Sequence, residues 1–296
     1  MLDEALDFGK RASDANSFYG YVPDRGISIL FLVLFSVSTL LHTGQAIFSR
    51  AWWLLATAFL CGLLEILGWS ARLWSSSNPD LAGPYEMQLT CTILAPTPLL
   101  AANFVILEKL IERLGAGYSR LSPRAYLIFF CSCDIISLVI QAVGGGMAAT
   151  AVSQNTSPNK GGHIMLGGIA FQMAVITVYA ILGSEFLIRY LADKPIRGRD
   201  ITKGHLNMKL RFLTVALAFS TVCLFIRAVY RTIELSDGWS GRIITTEVYF
   251  NVLDGAMIVL AIYTFNIFHP TLLLKDKAKA LEEKQERDVD GDTVVA

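Results

Sequence analysis

Residues 26–49 contain no Asp, Glu, Lys or Arg. A helix of about 20 such residues covers the hydrocarbon core of a bilayer, and few soluble folds can use a segment this long and this apolar. The pattern recurs along the chain. Helical spans are predicted near 27–47, 51–72, 87–110, 125–147, 165–189, 210–233 and 247–268. Composition agrees: 53% of residues are hydrophobic and 17% charged, against about 25% charged in soluble domains. The predicted fold class is all-α, a polytopic membrane protein built as a bundle of seven transmembrane helices.

Polar, turn-forming runs separate the spans: SSSNPDLAGPYE, GAGYSRLSPR, SQNTSPNKGG, ADKPIRGRDITKGH and LSDGWSGR. Lys and Arg set the orientation. Loop 111–124 carries Arg113, Arg120 and Arg124, loop 190–209 carries Lys194, Arg197, Arg199, Lys203 and Lys209, and the tail is rich in Lys. The alternate loops hold none in 73–86, Lys160 in 148–164 and Arg242 in 234–246. The N-terminus is therefore expected outside and the C-terminus in the cytosol. The chain divides into an extracellular segment 1–26, a transmembrane domain 27–268, and a cytosolic tail 269–296. The tail's mixed charge and missing apolar period read as disorder. Segment 1–26 has no apolar core of the signal-peptide kind, so the first span is expected to direct insertion. Asn155-Thr156-Ser157 is an N-glycosylation sequon in an expected outside loop.

Charges recur inside the apolar spans. Span 6 carries Arg227, Arg231 and Glu234; span 7 carries Glu247, Asn251 and Asp254. Both sets are spaced i, i+4, i+7, which makes one stripe on one helix face. The two stripes are expected at matching depth in the outer half of the bilayer, facing each other. Span 2 carries Glu65 and Arg72 with Trp69 between them; span 4 carries Asp134 and Gln141; span 5 carries Gln172. A charge at the bilayer centre costs about 2.5–3.5 kcal/mol on insertion scales. Such groups pair, or line a wet cavity. The expectation is a polar cluster inside the bundle, open toward the outer leaflet. It serves either as a structural lock between spans 6 and 7 or as a binding site, with Asp134, nearest mid-membrane, as a candidate proton carrier.

Pro96 and Pro98 in LAPTPLLAA remove backbone donors and disturb span 3. Gly144-Gly145-Gly146 and Gly167-Gly168 allow close helix approach or flexible span ends. The four histidines, His42, His163, His205 and His269, share no helical metal-ligand spacing. No metal or other cofactor is expected. All five cysteines lie in apolar runs and read as small buried hydrophobes. No Walker loop or G-x-S-x-G elbow occurs, and a net charge of zero argues against a nucleic-acid partner.

Taken in order, YGYVPD (19–24), EILGWSAR (65–72), LAPTPLLAA (94–102), DIISLVIQAVGGG (134–146), GGIAFQ (167–172), RAVYRTIE (227–234) and EVYFNVLD (247–254) resemble the fungal RTA-like, lipid-translocating exporter family. The resemblance covers about Tyr19 to Phe268. It departs from the family pattern at Trp69, Phe104 and Glu108. It implies a fungal source, seven spans, a plasma-membrane location, and transport of sphingoid long-chain bases or resistance to toxic amphiphiles. The family's polar positions fall on Glu65, Arg72, Asp134, Gln141, Gln172, Arg227, Arg231, Glu234, Glu247 and Asp254, the residues that span depth selects.

The favoured expectation is an exporter or flippase of lipid-like amphiphiles, not an enzyme. Its partners would be the bilayer and a membrane lipid or amphiphilic small molecule. Two other classes stay open. An integral membrane enzyme would use paired carboxylates for acid–base chemistry on a lipid or terpenoid. A seven-span sensor would engage a cytosolic partner through loop 190–209 or the tail.

Overall fold

The computed structural model describes residues 18–154, 156–196, 204–238 and 241–274. The sequon residue Asn155, residues 1–17 and the tail from 275 lie outside the described residues. Among the described residues, seven helices are long and apolar enough to cross a membrane: α1 (Arg25–Ser49), α2 (Leu55–Ser77), α3 (Ala82–Leu114), α4 (Pro123–Ser153), α5 (Asn159–Leu191), α6 (Met208–Ser236) and α7 (Glu247–Ile267). A short α8 (Pro270–Leu274) comes after them, packed on α6, so order continues into the first residues of the expected tail.

Local chemistry sets the ends. The Asp24 side chain caps α1 by accepting from the Ile27 N–H at 2.8 Å. Asn207 does the same for α6 through the Leu210 N–H at 2.9 Å. Each satisfies a backbone donor that the first helical turn leaves free. Helices α3, α4, α5 and α6 extend well past their expected spans, so loop 148–164 is mostly helix.

The chain is an integral, multi-pass membrane protein. Its surface is apolar: Leu40, Phe48, Ile188 and Val215 are each at least 65% exposed, and a bilayer covers such a band. The charged side chains of the spans, Glu65, Arg72, Asp134, Arg227, Arg231, Glu234 and Asp254, are inside. Aromatic packing fills the rest, with Phe31 stacked on Trp69 at 4.2 Å and Phe104, Phe130 and Tyr179 in mutual contact.

Glycine sets the α4–α5 spacing. A Cβ at Gly144 would collide with the Met165 backbone, one at Gly161 with Ala148, and one at Gly168 would stand 2.8 Å from Gln141 Cγ. These positions realise the close approach that the glycine pairs suggested. Gly146 and Gly167 face open space instead.

Candidate functional site

The stripes on α6 and α7 meet. Arg227 Nε donates to Asp254 Oδ1 at 2.6 Å, and Arg231 Nη2 donates to Asp254 Oδ2 at 2.6 Å. Arg231 Nη1 donates to Glu234 Oε2 at 2.8 Å, whose other oxygen accepts from the Tyr230 hydroxyl at 2.8 Å. One carboxylate thus holds two guanidiniums, and a second braces one of them. All four charged residues are buried. The backbone of α7 helps: Asn251–Ala256 forms a π-turn, which carries an extra residue in its hydrogen-bonded loop and rotates the facing of the residues after it. Such turns often mark functional sites.

Of the two prolines of α3, Pro96 takes part in this network. Pro96 has no N–H, so the Thr92 carbonyl loses its helical donor. Arg227 Nη2 donates to that carbonyl at 2.6 Å, and Arg231 Nη2 donates to Thr92 Oγ1 at 3.0 Å. Ala95 keeps helical dihedrals, φ −56° and ψ −40°, while the regular helix breaks there. The Pro96 disturbance therefore frees an acceptor for the charge network.

Arg72 belongs to a separate pair. Its Nη2 donates to Glu247 Oε1 at 3.0 Å and to the Tyr21 hydroxyl at 2.9 Å. The rings of Tyr19, Tyr21, Trp69 and Phe250 surround the guanidinium at 4.5–5.7 Å. Glu247 also accepts from the Asp24 N–H at 2.9 Å, and the Tyr19 hydroxyl donates to Ser75 Oγ at 3.2 Å. Residues 19–24 thus strap the end of the bundle where α1 begins. Burial pushes the Tyr19 phenol up to about 12 and raises that of Tyr21 as well. Glu65 accepts from Trp69 Nε1 at 3.2 Å through one oxygen; the other has no hydrogen bond. Asn251 is buried with neither amide atom bonded.

The remaining polar residues form a second network with no basic member. Gln172 Nε2 donates to Asp134 Oδ1 at 2.7 Å and to Thr97 Oγ1 at 3.1 Å. Gln141 Nε2 donates to Gln172 Oε1 at 3.2 Å and to Ser137 Oγ at 2.7 Å, and Ser137 donates to the Gly168 carbonyl at 2.7 Å. Asp134 Oδ2 has no partner.

The single open cluster expected from span depth is therefore corrected. The structure holds an ion-pair network on α3, α6 and α7, its Arg72–Glu247 neighbour, and an amide and carboxyl network without a basic member on α3, α4 and α5. Their charged side chains are buried or, for Glu247, half-buried, while Tyr230 and Gln141 each line a cavity. Glu247 has the most exposed side chain of the paired charges, at 18%. Facing helices supply acceptors for most of the guanidinium N–H groups, so the bundle closes over them, although Arg72 Nε, Glu65 Oε1 and Asp134 Oδ2 are left without partners. Sequence reasoning missed Thr92, Tyr230, Tyr21, Ser137 and Thr97. Hydroxyl residues are unremarkable in apolar helices, and only the Pro96 spacing to Thr92, i to i−4, carried a signal. Among the described residues no group of three or more His, Cys, Asp or Glu stands ready to hold a metal.

Comparison with known proteins adds a finding of a different kind. The family model described as "RTA1 like protein" matches residues 58–277. The chain is 33% identical to "Sphingoid long-chain base transporter RSB1" of Saccharomyces cerevisiae, over 91% of this chain and 78% of that one. It is 26% identical to "Protein RTA1" of the same yeast, over 95% and 93% of the two chains, and 24% identical to "Protein RTM1", over 83% and 89%. No solved structure matches.

Proposed function

The chain belongs to the RTA1-like family, and from that membership we propose that it moves single-chain amphiphiles across a bilayer, sphingoid long-chain bases first among them. The observation that carries this reading is the 33% identity to a protein named as a sphingoid long-chain base transporter, sustained over 91% of the chain. The site's chemistry supports it. Asp254, Glu234 and Glu247 already hold guanidiniums, an arrangement suited to reversible partner exchange during a conformational change. A protonated amine is a fitting competitor, and the free oxygen of Glu65 can receive one without displacing a partner.

The same reading puts the N-terminus outside and the C-terminus in the cytosol, on the Lys and Arg distribution, and favours the plasma membrane. It assigns no reaction: the substrate leaves unchanged. The test is export of labelled sphingoid base from a fungal host lacking its own exporter, with mass analysis of the label. Wild type is expected to release unmodified label, and Arg227→Ala and Glu247→Gln at matched surface expression to lose most of that release. Chemically altered label would favour the enzyme reading; release no greater than from the empty host would remove this substrate.

A further inference from the structure

A cavity of about 550 Å³ lies between the first half of α3 and the helices α4 and α5, within the usual ligand-pocket range of roughly 300–1,000 Å³. It does not touch the ion-pair network. Its walls are apolar or small, including Leu89, Ile93, Met165 and Gly146. Glu86 is the charged residue among its lining residues, at the end of the bundle where α1 begins. Thr90 stands one turn deeper on the same face of α3 and has no hydrogen bond partner for its hydroxyl among the described residues.

Gln141 also lines the cavity, although only 2% of its surface is exposed. Counted at 1.5 Å per residue from the expected end of span 4 at residue 147, it lies about 9 Å inside a hydrocarbon core about 30 Å thick. Its Nε2 is held by Ser137 and Gln172. Those two bonds fix the amide's orientation and leave the carbonyl Oε1 accepting nothing among the described residues. That oxygen is open to the cavity, so a donor that enters can bond it without displacing another group.

We propose that this cavity binds the head of a single-chain amino-alcohol amphiphile, with Glu86 receiving the protonated amine at the mouth and Gln141 Oε1 accepting an N–H or O–H from the head at the cavity floor. The proposal rests on the transport reading and deepens it. The cavity supplies acceptors and no positive charge, so a cationic head fits and an anionic one does not. Leu89, Ile93 and Met165 lie alongside to take the first part of the tail. Gln172 joins the Gln141 amide to Asp134, so a head at the floor of the cavity touches the amide network directly.

The experiment uses the full chain in nanodiscs with an 18-carbon sphingoid base carrying a diazirine in its tail, and the matching alcohol without the amine. Saturable labelling by the base is expected on peptides spanning 86–94 and 141–149, with the alcohol at least tenfold weaker. Gly146→Phe fills the cavity, where a Cβ meets nothing within 4 Å, and is expected to cut labelling at least tenfold. Gly167→Phe, equally open but away from the cavity, leaves it unchanged. Glu86→Gln and Gln141→Leu are each expected to weaken labelling by about tenfold, and carry the test if Gly146→Phe does not fold. Labelling elsewhere, or unchanged labelling in Gly146→Phe and Gln141→Leu, overturns the proposal. The export assay separates the two readings. Export by both wild type and Gly146→Phe removes this site and keeps transport. No export by wild type, with labelling still blocked by Gly146→Phe, removes transport of this base and keeps the site.

Discussion

Pro96 and Arg227 meet at one carbonyl: the proline cannot donate to Thr92 O, and the guanidinium donates there instead, at 2.6 Å. A buried carbonyl without a donor is unfavourable, and a guanidinium with an unfilled N–H is worse. Each residue thus answers the other's deficit. Pro96→Ala restores a backbone N–H where Ala95 already has helical dihedrals. The new helical bond competes with Arg227. Thermal stability in detergent is expected to fall by about 1–2 kcal/mol, since a neutral hydrogen bond replaces a charged one. Export is expected to fall several-fold, because Arg227 loses the contact that joins α6 to α3. A Pro96→Ala variant with wild-type export would show that the contact is only structural.

Asp254 holds two cations, so its loss is not equivalent to theirs. Asp254→Ala leaves Arg227 without a carboxylate and Arg231 with Glu234 alone. Breaking a buried pair on one side costs about 3–5 kcal/mol. The variant is expected to accumulate poorly as a fluorescent fusion. Adding Arg227→Met removes the stranded charge, and Arg231 keeps its Glu234 partner. Most of the accumulation should return while export stays absent. Failure of the double variant to recover would mean that the network's cost lies in packing rather than charge.

Much of this was legible in the sequence for physical reasons. Span existence comes from burial in lipid, which leaves long apolar runs; the i, i+4, i+7 stripes put Arg227, Arg231 and Asp254 on facing sides, and both guanidiniums bond that carboxylate. Pairing was harder to read. Arg72 takes Glu247 while both span 6 arginines share Asp254, because the α7 π-turn alters which side chains face inward, and no spacing rule announces such a turn. The split of Asp134, Gln141 and Gln172 into their own network was hidden too. Depth along a helix can be counted from its ends, but azimuth around the bundle depends on packing such as Gly168 against Gln141.

That packing carries its own prediction. Gly144→Ala and Gly161→Ala force a methyl into the facing backbone of α5 and α4 respectively. Overpacking of this kind costs about 1–3 kcal/mol. Both variants should melt several degrees below wild type in detergent, whereas Gly146→Ala and Gly167→Ala, with open space, should match or exceed it. Equal melting of all four would show that α4 and α5 can slide apart freely.

The strap of residues 19–24 responds to base. Tyr19 is buried and Tyr21 half-buried, and the ionisation of both phenols is raised above the ordinary value of 10.0, to about 12 for Tyr19. The folded state therefore holds protons that the released segment gives up. Their contribution to anchoring is complete below pH 10 and is lost as pH rises from there toward 12. Absorbance in the phenolate band should show phenols titrating late, fewer of them in a Tyr19→Phe/Tyr21→Phe variant. Titration of the pair at the ordinary phenol value would mean that the strap stands open in solution.

Orientation is the remaining prediction, and it fixes which leaflet the strap and the cavity mouth face. Lys and Arg concentrate in loops 111–124 and 190–209 and in the tail, while the alternate loops hold Lys160 and Arg242. Positive loops are retained in the cytosol. Since α1 begins at the end that carries Glu86 and the strap, both should face the cell exterior. An epitope after Ala296 should be reached by antibody only once cells are permeabilised. A cysteine placed at Glu86 in a chain whose own cysteines are replaced should react with a membrane-impermeant maleimide on intact cells. If glycan is attached at Asn155, a glycosidase should shift the protein's mobility. The opposite pattern of labelling would invert the bundle and turn the cavity mouth to the cytosol, making it a site of uptake from the inner leaflet.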